Sequence, residues 1–294
     1  MIKRLLTLIS ILTALVLTIS LTSSSGAGLV ASIQVGRVRE EFQPERGKIF
    51  ILVIGNDARA GNPNAARADA IHLVGVNTKT MRGGILNFPR DSWVNIPGRG
   101  SAKINESLYG AGPERVVQTI ENLTRIRIDY FVMTGFVGFR GLINGVGNIT
   151  YRVPFRLYDP SGSGADLKAG RQPLTPADAL AFVRTRHNFS RGDIDRSANQ
   201  GKFLRAMLSE LQKDVNDNPG ALMRWIAAGR KHTRFDVPPD ELFRLAVLAT
   251  QIKNGRVGNV TVPVSIGSVG ASSVVFISPS AQKIYARFRR SASL

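Results

Sequence analysis

The sequence contains no cysteine, which removes disulfides, thiolate metal sites and cysteine nucleophiles together and leaves the redox compartment open on that ground. Histidine is scarce, with 3 residues in 294, and acidic residues are few: 21 Asp and Glu stand against 39 Lys and Arg, a formal charge of +18. No Walker-type glycine-rich phosphate loop occurs, which argues against a nucleotide cofactor, and no serine-hydrolase motif is present. Internal repeats are missing too, so the 43% apolar content points to one sizeable domain of roughly 240 residues.

What is present begins at the amino terminus. Lys3 and Arg4 precede an uncharged, mostly apolar run over 5–22, and no further charge appears before Arg37. At the helical rise this run spans roughly 27 Å, enough for the hydrocarbon core, and basic residues on the short leading side favour a cytoplasmic amino terminus. The expectation is a cytoplasmic tail (1–4), one transmembrane helix (5–22), a polar linker (23–47) and an extracytoplasmic domain (48–294). A cleaved signal peptide competes, because "SSSGAGLVA" (23–31) offers small residues near a cleavage point; the apolar run is longer than a usual signal core, which favours the anchor. Either way the domain is exported. A basic protein there meets lipid headgroups, phosphorylated lipids and wall polymers rather than nucleic acid. Scattered basic residues such as Arg224, Arg244 and Arg256 read as solvated surface.

From Lys48 onward, strands and helices alternate. "KIFILVIG" (48–55), "AIHLVGVN" (70–77) and "GGILNFP" (83–89) read as strands, the last two joined as a hairpin. "PERVVQTIENL" (113–123) follows as an amphipathic helix, "DYFVMTGF" (129–136) as a strand, "FRGLINGVG" (139–147) as a short helix and "ITYRVPF" (149–155) as a strand. This pattern predicts a layered α/β domain with a mixed sheet. It also predicts that Asp57, Arg59, Arg67, Asp69, Arg90 and Asp91 gather at one sheet edge, where ligands of open α/β sheets commonly bind. Three carboxylates and three guanidiniums there are either paired with one another or hold something. Two aspartates on loops suffice for Mg²⁺, which keeps several waters, while arginines offer planar forks to phosphate oxygens.

"LTPADALAFVRTRH" (174–187) reads as a helix with Thr175 as N-cap, Pro176 at its first position and Asp178 in its first turn. Arg184 and Arg186 fall at its far end, where the macrodipole favours them in any case. That does not account for Arg191 or Arg196. A second helix from about Asp195 carries Gln200 one turn beyond Arg196, so the arginine-rich loop is pinned between two helices, as an anion clamp requires.

"GNDAR" (55–59), "RAD" (67–69), "NFPRDSWVNIPGRGSAKINESLYGAGP" (87–113), "IDYFVMTGFVGFRGLINGVGNITYRVPF" (128–155), "LKAGRQPLTPADALAFVRTRH" (167–187) and "GDIDRSANQGKFLRAM" (192–207) together resemble, in order and spacing, the LytR-CpsA-Psr family of cell-wall glycopolymer transferases. The resemblance covers about Lys48 to Leu211. It implies a three-layer α/β/α sandwich with a central mixed sheet, anchored outside the bacterial cytoplasmic membrane, with an apolar pocket for a polyprenyl chain. It implies transfer of a glycan phosphate from a polyprenyl-pyrophosphate-linked glycan to peptidoglycan with Mg²⁺. On this resemblance Asp57 and Asp69 match metal-associated aspartates, and Arg59, Arg67, Arg90, Arg184, Arg186 and Arg196 match pyrophosphate-contacting arginines. Asp91, Lys103, Asn105 and Gln200 match further motif positions. The insertion "NFSRG" (188–192) leaves Arg191 without a firm counterpart, and "RAD" and Asn56 stand where members commonly have serine-containing forms.

For the acceptor hydroxyl, Asp91 is the candidate base, with orientation of Arg90 through an ion pair as its other reading; His187, at a helix end, reads as a capping or packing residue. "DYFVMTGFVGF" (129–139) and "ALMRWIAAG" (221–229) are the segments that could line a lipid slot. Two other functions fit the same parts: a polyprenyl-pyrophosphate phosphatase that passes the group to water, and a non-catalytic wall-binding or regulatory module.

Overall fold

The computed structural model describes residues 33–37, 47–58, 66–231 and 233–294. The expected tail and anchor (1–22) and Arg59 lie outside these residues, and among the described residues no helix is long and apolar enough to cross a membrane. In chain order the structure places β1 (Ile33–Arg37), β2 (Lys48–Asn56), β3 (Ala68–Asn77), β4 (Arg82–Asn87), a small hairpin of β5 (Trp93–Ile96) and β6 (Gly100–Lys103), α1 (Pro113–Thr124), β7 (Tyr130–Thr134) and α2 (Phe136–Val146). Next come β8 (Ile149–Val153), β9 (Leu157–Asp159), β10 (Ala165–Leu167), β11 (Gly170–Leu174), α3 (Pro176–Arg184) and α4 (Asp193–Asp217). The last part holds α5 (Ala221–Lys231), β12 (Thr233–Asp236), α6 (Pro239–Gln251), β13 (Val257–Thr261), β14 (Val264–Val269), β15 (Ser272–Ile277) and α7 (Ala281–Ser291).

A seven-stranded sheet in the order β12-β1-β7-β2-β3-β4-β13 forms the centre. It is mixed: β3 runs antiparallel to β2 and β4, whereas β7 and β13 join parallel to β2 and β4. The alternation of side chains along a strand separates two cores. Leu52, Ile54, Ile71, Leu73 and Leu86 pack with Val116, Val117 and Ile120 of α1 and with Tyr285 and Phe288 of α7. On the opposite face, Val76 and Ile85 meet Leu204 and Leu208 of α4, and Ile49 and Tyr130 meet Leu242 and Leu245 of α6. Helices thus cover both faces of the sheet, in agreement with the predicted layering.

One expectation is corrected. The polar stretch assigned to the linker contains β1, which pairs with β7 and β12 inside the sheet; its interior place comes from backbone pairing with strands distant in sequence, which local apolar periodicity does not report. "ITYRVPF" forms a strand as expected, β8, which pairs with β11 in a separate two-stranded sheet. That pair, with β9, β10, α2, α3 and Phe203 of α4, builds a third core around Ile143, Leu157, Leu174 and Phe182.

The predicted start of α3 is present in full: the Thr175 hydroxyl accepts from the Asp178 N–H at 3.2 Å and the Asp178 carboxylate accepts from the Thr175 N–H at 3.2 Å, closing a capping box. The following loop ends at Gly192, whose φ of 48° is costly for a side chain and which turns the chain into α4. Nine residues on, Gly201 lies against the side chains of Asn87 and Asn259 so closely that a Cβ would overlap both amide oxygens. Alanine is a better helix former than glycine by about 1 kcal/mol, while overpacking costs about 1–3 kcal/mol. Gly201→Ala is therefore expected to lower the urea midpoint of unfolding, and a raised midpoint would refute the close approach of α4 to the sheet.

Candidate active site

The ends of β2 and β4 and the start of β3 converge on one edge, as the hairpin topology requires. The Asp57 N–H donates to the Arg67 carbonyl at 3.3 Å and the Arg67 N–H returns a bond to Asp57 Oδ1 at 2.9 Å, closing the strand connection. Past β4, the Phe88 N–H bonds the Ile71 carbonyl at 3.0 Å, and Ser92 closes a turn by donating its N–H and hydroxyl to the Pro89 carbonyl. This turn sets Arg90 beside Asp69, with Nη1 2.7 Å from Oδ1.

An ion lattice grows from that pair. Arg90 Nε lies 3.5 Å from Asp193 and 3.9 Å from Asp91, and Lys103 holds the other Asp91 oxygen at 3.0 Å. Arg196, on the first turns of α4, pairs with Asp193 and donates from Nη2 to the Asp69 carbonyl at 3.2 Å. Burial alone would lower the Arg90 pKa, but the charges of Asp69, Asp193 and Asp91 outweigh it and raise it. Burial dominates at the next two groups: it pushes Asp193 up despite Arg196 and Arg90, and it pulls Arg196 down despite Asp193. Both arginines remain cations at any physiological pH.

A cavity of about 480 Å³ opens beside this lattice. Its polar wall carries Asp57, Asp69, Arg90, Arg184, Arg186, Arg196 and Gln200, and its apolar wall includes Val132, Phe139, Leu142, Val183, Phe203 and Met207. Arg184 sits 4.9 Å over the Phe136 ring and donates to the Ser163 carbonyl at 3.3 Å. Neither Arg184 nor Arg186 has a carboxylate partner among the described residues. The sequence left two readings open, an Arg/Asp lattice or an anion clamp, and the edge contains both: Arg90 and Arg196 are held by carboxylates, while Arg184 and Arg186 present uncompensated charge to the cavity.

Not every candidate reaches the cavity. Arg67, Asp91, Lys103 and Asn105 do not line it; Asn105, 5% exposed, bonds the Arg90 carbonyl through its N–H at 3.1 Å and so supports the arginine's backbone. Arg191 is turned outward and forked onto Asp195. Of the two segments read as a lipid slot, 129–139 lines the cavity through Val132, Phe136 and Phe139, but 221–229 does not; α3 and α4 take that place with Leu180, Val183, Phe203, Leu204 and Met207. Sequence reasoning also missed Asp193, whose three-residue spacing from Arg196 on a helix was the available signal. His72 and Asp159 gave no local signal, since each meets its partners only across the fold.

The donors fit a divalent cation. Asp57 and Asp69 each engage one carboxylate oxygen, leaving the second without a hydrogen-bond partner among the described residues, and both line the cavity. No group of three or more His, Cys, Asp or Glu placed to hold a metal ion occurs among the described residues; a cation such as Mg²⁺ can be bound by one or two carboxylates and completes its shell with water and phosphate oxygens.

Comparison with known proteins follows the same line. The LytR_cpsA_psr family matches residues 17–290. The chain is 32% identical over 232 residues to the probable cell wall biosynthesis protein LcpB of Corynebacterium glutamicum, covering 73% of this chain and 54% of that one. It is 33% identical over 176 residues to a polyisoprenyl-teichoic acid–peptidoglycan teichoic acid transferase, TagU, of Oceanobacillus iheyensis, covering 58% and 53%. The chain thus spans about half the length of the curated relatives it matches. Among solved structures, the family protein YwtF (TagT) with bound octaprenyl pyrophosphate superposes with a TM-score of 0.66 at 22% identity, covering 87% of this chain and 95% of that one, a likeness of fold.

The cavity floor makes one pH prediction. His72, 2% exposed, donates from Nδ1 to Asn87 at 2.8 Å, and burial lowers its pKa to about 4. Between about 6.5 and 4 the unfolded chain binds the proton and the folded one does not, so stability falls as pH falls through that window. His72 is expected to account for about 2 kcal/mol of lost unfolding free energy between pH 7 and 5. Urea titrations at both pH values check this, and His72→Gln should flatten the difference.

Proposed function

Because the chain belongs to the LytR-CpsA-Psr family, we propose that it is a phosphotransferase that moves a glycopolymer phosphate from a polyprenyl-pyrophosphate carrier to peptidoglycan in bacterial cell-wall assembly. The observation that carries this reading is the single cavity with a cationic mouth and an apolar wall. An amphiphile with an anionic head and a long hydrocarbon tail matches both halves; a free sugar phosphate would leave the apolar wall unused, and a simple lipid would leave Arg184 and Arg186 unpaired. The named relatives and the octaprenyl-pyrophosphate complex of a fold neighbour point the same way. The run over 5–22 is proposed as the anchor that keeps the amino terminus inside and the domain outside, facing the wall.

The residues divide the work by position. Arg90 and Arg196, fixed by Asp69 and Asp193, hold the pyrophosphate in one place, so no reorganisation is needed as charge develops. Arg184 and Arg186 supply the positive charge that offsets the departing polyprenyl phosphate. Gln200, which donates from Nε2 to the Val183 carbonyl at 2.9 Å, ties α3 to α4 and keeps the two arginine sets in register. Mg²⁺, held by Asp57 and Asp69, would neutralise pyrophosphate oxygens as a Lewis acid.

The test incubates the full chain in detergent with a polyprenyl-pyrophosphate-linked glycan, peptidoglycan fragments and Mg²⁺, and resolves products by mass spectrometry. The starting point matters, since a chain beginning at Lys48 would lack β1. A glycan phosphate joined to peptidoglycan is expected, reduced about 10²–10³-fold by Arg90→Ala or Arg186→Ala and unchanged by Arg224→Ala, an exposed residue paired with Asp214. Polyprenyl phosphate with no joined product would instead mark a phosphatase, and binding with no turnover a non-catalytic module.

A further inference from the structure

An acceptor hydroxyl must lose a proton as it attacks phosphorus, and the acceptor here, a wall polymer, is too large to enter a cavity of about 480 Å³. The proton acceptor must therefore stand at the rim, reachable from solvent, with a lone pair to give. Asp91 fails this requirement: it does not line the cavity, and its two oxygens are held by Lys103 at 3.0 Å and Arg90 at 3.9 Å. His72 fails it as well, being 2% exposed on the cavity floor.

His187 meets it. It lines the cavity next to Arg186, its side chain is 59% exposed, and its Nδ1 lies 3.0 Å from Asp159 Oδ1. A carboxylate can only accept, so in the neutral ring the proton sits on Nδ1 and the lone pair on Nε2. Asp159 is rigidly held: its side chain is 5% exposed, Oδ2 accepts the Ser163 N–H at 3.0 Å, and the Gly164 N–H bonds its carbonyl at 2.9 Å. Burial would raise the Asp159 pKa, but the bonds from His187 and Ser163 outweigh it and hold it below the usual carboxylate range, so it stays ionised. The same turn fixes the phosphate side, because Ser163 accepts from Arg184 through its carbonyl and bonds Thr185 through its hydroxyl at 2.8 Å. One short segment thus orients an imidazole and an arginine toward one cavity.

We propose that His187, oriented by Asp159, is the general base that takes the proton from the acceptor hydroxyl. The inference rests on the transferase reading above. In the step, the acceptor oxygen forms a bond to the glycan-bearing phosphorus as its proton passes to His187 Nε2. The bond from that phosphorus to the bridging oxygen breaks, and the bridging oxygen leaves with the electron pair on polyprenyl phosphate. The imidazolium then releases its proton to water. Asp159 is a positioning residue, which acts only through the ring it holds.

The experiment measures transfer by the full chain in detergent with the lipid-linked glycan and peptidoglycan fragments, for wild type, His187→Ala, His187→Gln and Asp159→Asn. A positioned general base contributes about 10²–10⁴-fold. The expected result is a fall of at least about 100-fold in kcat for both His187 variants, KM for the lipid within a few-fold of wild type, and a smaller fall in kcat for Asp159→Asn. Added imidazole should restore His187→Ala in proportion to concentration, with substituted imidazoles ranked by basicity, a signature that loss of packing would not give. Wild-type transfer retained in His187→Gln, or a lost rate that imidazoles restore without regard to basicity, would overturn the proposal. Absence of transfer by the wild type would overturn the transferase reading itself.

Discussion

Holding guanidiniums in place without neutralising them is the constraint on which the rest of this site depends. A cationic side chain beside an apolar cavity is costly unless paired, yet only an arginine that keeps some of its five N–H donors unspent can still hold a ligand. The protein meets both demands by dividing the arginines. Arg90 and Arg196 are gripped by Asp69 and Asp193 and define a fixed frame, whereas Arg184 is steadied by an aromatic ring and a carbonyl. Those last contacts restrain geometry without cancelling charge.

One helix carries much of this arrangement. Along α4, Asp193, Arg196, Gln200, Phe203 and Met207 recur every three or four residues, which places them on one stripe, and the last four line the cavity. The stripe changes from ionic to apolar along its length, as the cavity does. Two glycines let this helix sit where it does: Gly192 admits the turn that starts it, and Gly201 lets it press against Asn87 and Asn259. Asn87 in turn accepts from His72 and donates to Asn259 at 2.8 Å, and Asn259 donates to the Ala198 carbonyl at 3.0 Å. The cavity floor, the edge strand β13 and α4 are thereby linked in one hydrogen-bonded chain.

The third core, around Phe182 and Phe203, does comparable service. Tyr151, Phe182 and Phe203 pack with ring centroids 4.5 to 6.0 Å apart, which anchors α3 against α4 and the β8–β11 pair. Because Arg184, Arg186 and His187 leave the end of α3, the rigidity of that aromatic cluster sets how precisely their charges are placed. Phe203 of this cluster lines the cavity, and Phe139, Leu142, Val183 and Met207, packed against the same core, line it too, so the packing that stabilises the lobe also shapes the slot.

The sequence by itself determined the elements whose cause is local. Alternating apolar runs gave the strands of the hairpin and their neighbours, and the Thr175, Pro176 and Asp178 spacing gave the start of α3, because period and capping are properties of a few adjacent residues. Hairpin geometry was enough to bring Asp69 to Arg90. What only the tertiary structure decided depends on residues far apart in the chain: β1 inside the sheet through pairing with β7 and β12, Asp193 as the second anchor of Arg90, Arg191 turned outward onto Asp195, and Asp159 beneath His187. The physical reason is the same in each case. A charge has no meaning until its nearest opposite charge is known, and a strand with little apolar patterning is located by backbone pairing with strands far off in the chain.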